Sequence, residues 1–169
     1  MPRLIQIHKN LYYFNFTLAT DEVNNDNEMF TSQALEEMCL MFKGKVGLID
    51  AYGITYHPLI FDTKIKQKHG ITKLRASAYV YPNSEADVDN LKDFLSTHKK
   101  CSISCSCTRK VCSICGRNQN REPCQHIKGK SYGHKNCVYK LSGVTDVYEW
   151  SFAQEPPISN EDKKGDSDE

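Results

Sequence analysis

Residues 59–81 read LIFDTKIKQKHGITKLRASAYVY, and this stretch decides the fold class. Leu59 to Ile65 and Thr72 to Tyr81 have the alternating, β-branched and aromatic character of strands. Lys68-His69-Gly70 between them is a turn, so the whole predicts a β-hairpin. Working downstream, Pro82-Asn83 ends the hairpin. Ser84-Glu85-Ala86-Asp87, a hydroxyl with an acid three residues on, starts a helix that runs to about His98 with Val88, Leu91 and Leu95 inward. Cys101 to Cys107 reads as a strand with Ile103 and its i±2 neighbours on one face, and Val147 to Phe152 as the last strand. In that last strand, alternation sets Val147, Glu149 and Ser151 on one face and Tyr148, Trp150 and Phe152 on the core face. Working upstream, Val46 to Ile49 is a short buried strand. Gly44 stands where a helix end wants a left-handed residue. Thr31 or Ser32 caps a helix whose apolar positions are Ala34, Leu35, Met38, Met41 and Phe42. Asp21 to Asn27 is a polar loop, and residues 11–18 are a first strand.

The chain of 169 residues is 39% hydrophobic and 25% charged, enough for one ordinary domain with a real core. No run of 18 apolar residues exists, which excludes a membrane-spanning helix. The N-terminus, Met1 to His8, lacks the apolar run of a secretory signal, so a cytoplasmic location is expected. A formal net charge of +1 argues against a general nucleic-acid coat.

Cysteine is the informative residue. Of eight cysteines, seven fall between Cys101 and Cys137, and in a reducing compartment such clustering points to metal rather than disulfides. Cys112-Ser113-Ile114-Cys115-Gly116 is a knuckle: two thiolates grip one tetrahedral ion while the glycine turns the amides toward the sulfurs. Cys124-Gln125-His126 follows, completing a Cys3His set, with Cys137 as the alternative fourth ligand. Soft sulfur with one imidazole suits Zn²⁺. Four protein ligands leave no position for a catalytic water, so the site is expected to be structural. His134 reads as a surface histidine, and Cys105 and Cys107 as strand residues outside the site. Ten Lys/Arg and one acid, Glu122, lie between Lys99 and Lys140. Without aromatic interleaving this reads as a solvated face, so nucleic acid is not the expected partner.

The order of these features resembles the tailed-phage prohead maturation proteases, serine proteases of the herpesvirus-assemblin fold, in a branch from phages of Gram-positive bacteria. The resemblance runs from the first strand to Pro157. It rests on Gly44-Lys45-Val46-Gly47-Leu48-Ile49-Asp50-Ala51 for "GK-x-G-x-x-D-H" and Cys101-Ser102-Ile103-Ser104 for "V-S-[VI]-G". It rests also on Cys112 to Tyr132 for "CSICG … C-x-H-x-x-G-x-x-Y" and Asp146 to Phe152 for "D-x-Y-E-W-S-F". It implies a mainly β (α+β) fold: an assemblin-like, closed or nearly closed, antiparallel-rich β-barrel surrounded by helices, carrying a zinc-bound insertion. The implied domain spans 1–157 and is interrupted by the insertion at 108–140, with an acidic, disordered tail at 158–169.

By the same resemblance Ser102 is the nucleophile and Glu149 the acid that orients the base, Asp146 being the lesser substitute. The base itself is expected at position 51, where this chain has Ala51. A serine hydroxyl without its base is a poor nucleophile, so the chain reads as an inactive form. An inactivating substitution is favoured over a natural pseudo-enzyme or rescue by His57. Ser104 in place of glycine also departs from the pattern at the oxyanion site. The implied function is cleavage of scaffold and major capsid proteins inside the assembling prohead, in the bacterial host cytoplasm, by a chain able to form a homodimer. The alternative is a non-catalytic, zinc-stapled capsid-assembly or binding protein on the same fold.

Overall fold

The computed structural model describes residues 11–98 and 100–152; the tail expected at 158–169 lies outside them. In chain order the elements are β1 (Tyr12–Thr20), β2 (Glu28–Phe30), α1 (Ser32–Met41), β3 (Leu48–Ala51), β4 (Ile54–Tyr56), β5 (Leu59–Lys68), β6 (Ile71–Val80), α2 (Glu85–Thr97), β7 (Ser102–Cys112), β8 (Ser131–Tyr132), β9 (Lys135–Asn136) and β10 (Tyr139–Phe152). The fold is mainly β, as expected. The expected hairpin is β5 and β6, closed by His69 and Gly70, both at positive φ.

The sheets are open, and this corrects the expected barrel. β1, β6 and β5 form one antiparallel sheet, β2, β10, β3 and β4 with β7 beside β10 form a second, and β8 and β9 form a small ribbon. The organiser of the second sheet is β10. β7 runs antiparallel along one side of it, while β2 and β3 pair with its two ends in parallel. The two sheets touch through an isolated antiparallel bridge between Val46, just before β3, and Leu59 of β5, but no continuous ladder joins them into a barrel. One hydrophobic core lies between the sheets, where Phe14 and Phe16 of β1 meet Val147, Trp150 and Phe152 of β10.

Both expected helices form, each for a local reason. The Thr31 hydroxyl accepts the Ala34 N–H at 3.1 Å and Ser84 accepts that of Asp87 at 3.2 Å, caps worth about 1 kcal/mol each. α1 buries Ala34, Leu35 and Met38 completely, with Phe42 just beyond its end; the three larger side chains contribute about 2 kcal/mol each. On α2 the buried residues are Leu91 and Phe94, the latter missed by the sequence reading.

Two strand predictions need correction. Val46 and Leu48 are exposed, and the strand runs from Leu48 to Ala51 with only Ile49 and Ala51 inward. β10 begins at Tyr139, not Val147, and does not alternate strictly. Register shifts between Val144 and Asp146 and between Val147 and Glu149 insert extra residues opposite β7. Val147 is therefore fully buried, whereas Tyr148 is half exposed and hydrogen-bonds Ser106 Oγ at 2.6 Å.

Two of the motifs meet in space. Gly47 lies against the Trp150 indole so closely that a Cβ there would sit 2.1 Å from the ring. The indole N–H donates to the Lys45 carbonyl at 3.3 Å. The "GK-x-G" segment is thus the seat of the tryptophan in the last strand.

Candidate metal centre and the residues expected to be catalytic

β7 delivers Cys112 at its last position, and the chain reverses at once. Arg117 O accepts the Cys112 N–H at 2.9 Å and Cys112 O accepts that of Gly116 at 2.9 Å. Gly116 stands at φ +75°, which a side chain would resist, so the knuckle can return its amides to the sulfurs. The Ile114 N–H points at Cys112 Sγ at 3.4 Å. Burial pushes the Cys112 thiol up, but the Cys115 and Ile114 amides with the Cys137 and Cys115 thiols outweigh it and bring the thiol down to about 7.

The second half comes from the loop between β7 and β8. Gln119 clamps Cys124 twice: its Oε1 accepts the Cys124 N–H at 3.1 Å and its Nε2 donates to Sγ at 3.2 Å. His126 is held by the edge of the Tyr132 ring at 4.7 Å, and its carbonyl accepts the Tyr139 hydroxyl at 2.9 Å. One ligand atom each from Cys112, Cys115, Cys124 and His126 lies within 4.8 Å of the others, an arrangement that could hold a metal ion. This is the expected Cys3His set. Cys137 is outside the four but fully buried, its sulfur 3.7 Å from that of Cys112. Two thiolates on a tetrahedral zinc stand about 3.8 Å apart, from bonds of about 2.3 Å. His126 Nδ1 is buried without a hydrogen-bond partner, as a nitrogen awaiting a cation would be. The residues fit a tetrahedral ion of borderline softness.

One clamp was invisible in the sequence. The Glu28 carboxylate on β2 accepts Lys128 Nζ at 2.9 Å and Lys110 Nζ at 3.1 Å, pinning the cysteine-rich loop to β2 and tying β2 to β7 across β10. Burial alone would raise this carboxyl; the two ammonium groups outweigh it and hold it below the ordinary carboxylate value. Partners 82 and 100 residues apart carry no local signal.

The expected catalytic residues are not assembled in the same way. Ser102 begins β7 and is exposed, opposite Ser151; Ser104 is opposite Glu149. Ser102 and Glu149 thus share one face as diagonal neighbours, about 7 Å apart. On the other side of β10, Ser151 faces Leu48. Leu48 and Asp50 share the Ser102 face, and Ile49 and Ala51 point into the core, where Ala51 is 0% exposed. With strands about 4.8 Å apart and a rise of about 3.3 Å per residue, position 51 is roughly 14 Å from Ser102. Asp146 is exposed and accepts its neighbour's N–H from Val147; His57 and His134 are exposed in loops. Cys105 and Cys107 stay on β7 with their sulfurs 3.9 Å apart, outside the metal set as expected. Beside Ser102 on the core side, burial pushes the Cys101 thiol up to about 12, so it is not a ready nucleophile.

Comparison with models of protein families, with curated proteins and with solved structures gave no match. Among the described residues no helix is long and apolar enough to cross a membrane.

Proposed function

We propose that this chain is a non-catalytic, zinc-stapled β protein that binds and holds partner chains, the second of the two readings the sequence raised. The observation that carries it is the separation of Ser102 from position 51. One is exposed and the other lies in the core, on opposite faces of a sheet and two strands apart. A general base must come within about 3 Å of the proton it removes, directly or through one water. The zinc is held by Cys112, Cys115, Cys124 and His126, with Cys137 beside them, and its role is structural: it closes a loop too polar to fold on its own core. By the resemblance, the partners are phage scaffold and capsid chains within an assembling prohead.

The test is labelling with a fluorophosphonate. The reading expects no adduct on Ser102 in the chain as it stands, and none in Ala51→His, whose buried position has no room for an imidazole. An adduct on Ser102 in a folded Ala51→His protein, lost in the Ser102→Ala control, would overturn it. Co-sedimentation with capsid and scaffold proteins then tests the partners.

A further inference from the structure

The outer face of the first sheet carries two features that neither the metal centre nor the core explains. At one end is a cluster of exposed aromatic rings. Tyr13 is opposite Tyr79 in register, and the Phe61 ring stands 5.8 Å from Tyr13 and 6.0 Å from Tyr79. Tyr81 extends the row, 5.7 Å from Tyr79. Tyr13 and Tyr81 are each 59% exposed and Phe61 41%. Bare aromatic patches of this kind mark interaction sites.

Further along the same face the register opposes like charges. Lys64 pairs with Arg75 and Lys66 with Lys73 across β5 and β6. Like charges directly opposite destabilise a sheet, and among the described residues none of the four makes an ion pair. A polyanion would turn that repulsion into binding. Between the two zones lie Asn15 and Ser77, joined by a 2.6 Å hydrogen bond, and the single acid Asp62, which faces Lys43 at 4.0 Å. From Tyr79 to Lys73 the platform is about 20 Å long, room for a few nucleotides.

We infer that this face binds single-stranded nucleic acid, with bases stacked on the Tyr13, Phe61, Tyr79 and Tyr81 rings and phosphates set over the opposed cations. Sequence-tolerant binding of single strands combines these two elements. A duplex hides its base faces from such rings, and an acidic peptide would use the cations but has no flat group for the aromatic row. The inference is independent of the assembly reading, and its residues come from β1, β5, β6 and the segment after β6, not from the basic cysteine-rich loop.

The experiment is fluorescence anisotropy of the full chain with a labelled 15-mer of deoxythymidine at 50 and 200 mM NaCl. With three phosphates neutralised, affinity should fall about 20-fold between the two salts. Tyr13→Ala should weaken binding about tenfold without changing the salt slope, and Lys66→Gln should lower the slope by about 0.7. Arg121→Gln with Lys130→Gln, in the cysteine-rich loop, should leave both unchanged. Unchanged Trp150 emission in every variant shows that the fold is kept. No binding at 50 mM, binding that ignores Tyr13→Ala, loss through the loop variants instead, or equal competition by duplex DNA or polyglutamate would each overturn the inference.

Discussion

Replacing Gly47 by alanine should damage the core far more than its size suggests. The new methyl carbon would stand 2.1, 2.3 and 2.5 Å from Cε2, Cδ2 and Cζ2 of Trp150, where carbon atoms settle at about 3.5–4.0 Å. The indole must therefore retreat by more than about 1 Å, and it has nowhere to go. Phe16 is stacked on it at 4.8 Å, Phe152 abuts it edge-on at 6.4 Å, and its N–H is tied to the Lys45 carbonyl. Overpacking costs about 1–3 kcal/mol and the strained indole hydrogen bond about 1 more, so the expected loss is about 3 kcal/mol. For a chain of this size that lowers Tm by about 6–12 °C. Trp150 is the only tryptophan, so urea unfolding followed by its emission reads the perturbed spot directly. The midpoint should fall with the slope unchanged, and the native emission should shift to the red. Gly44→Ala is the control. Its φ of +84° makes a side chain strained, yet nothing lies within 4 Å, so it should cost about 1–2 kcal/mol with native emission unchanged. A Gly47→Ala loss below about 0.5 kcal/mol with unaltered emission would refute the reasoning.

Glu28→Gln should cost about 1–2 kcal/mol at pH 7, read by thermal melting, because two ammonium groups lose their carboxylate. The Glu28 carboxyl is held below its ordinary value, so its contribution is present above the unfolded value of about 4.5 and is lost as pH falls through the folded one. The gap between wild type and Glu28→Gln should therefore close on acidification below that range. Among the candidate metal ligands, Cys115→Ser and Cys124→Ser should abolish zinc binding. His126→Ala should do the same, whereas Cys137→Ser should weaken affinity about tenfold, as measured by competition with a chromophoric chelator. Ala51→His should destabilise by about 3 kcal/mol or more in urea, because it forces a polar ring into a fully buried position.

Much of this molecule was legible because its signals are local. The hydroxyl caps at Thr31 and Ser84, the His69-Gly70 turn and the Cys-x-x-Cys-Gly knuckle each act within a few residues, and each behaves as its chemistry dictates. What was not legible depends on partners far away in sequence. The two bulges of β10 belong to its pairing with β7, so strict alternation put Val147 outside and Tyr148 inside, the reverse of what forms. The strand at 48–51 was shifted because Val46 and Leu48 are apolar yet exposed at the join of the two motifs. The openness of the sheets depends on how distant strands pair, which no single segment announces. The aromatic row has no local signature because Tyr13, Phe61, Tyr79 and Tyr81 come from three strands and the segment after one of them. At the metal centre the reverse held: the candidate Cys3His set lies within fifteen residues and its spacing is a local signal, with Cys137 left as the alternative fourth ligand, whereas the Glu28 clamp has no such signal.

The most direct test of the zinc-stapled reading is the metal content of the full chain purified in reductant, by native mass spectrometry. One zinc per chain is expected, retained in Ser102→Ala and absent from Cys115→Ser. A folded protein without metal, or one in which Cys115→Ser keeps its full complement, would contradict it.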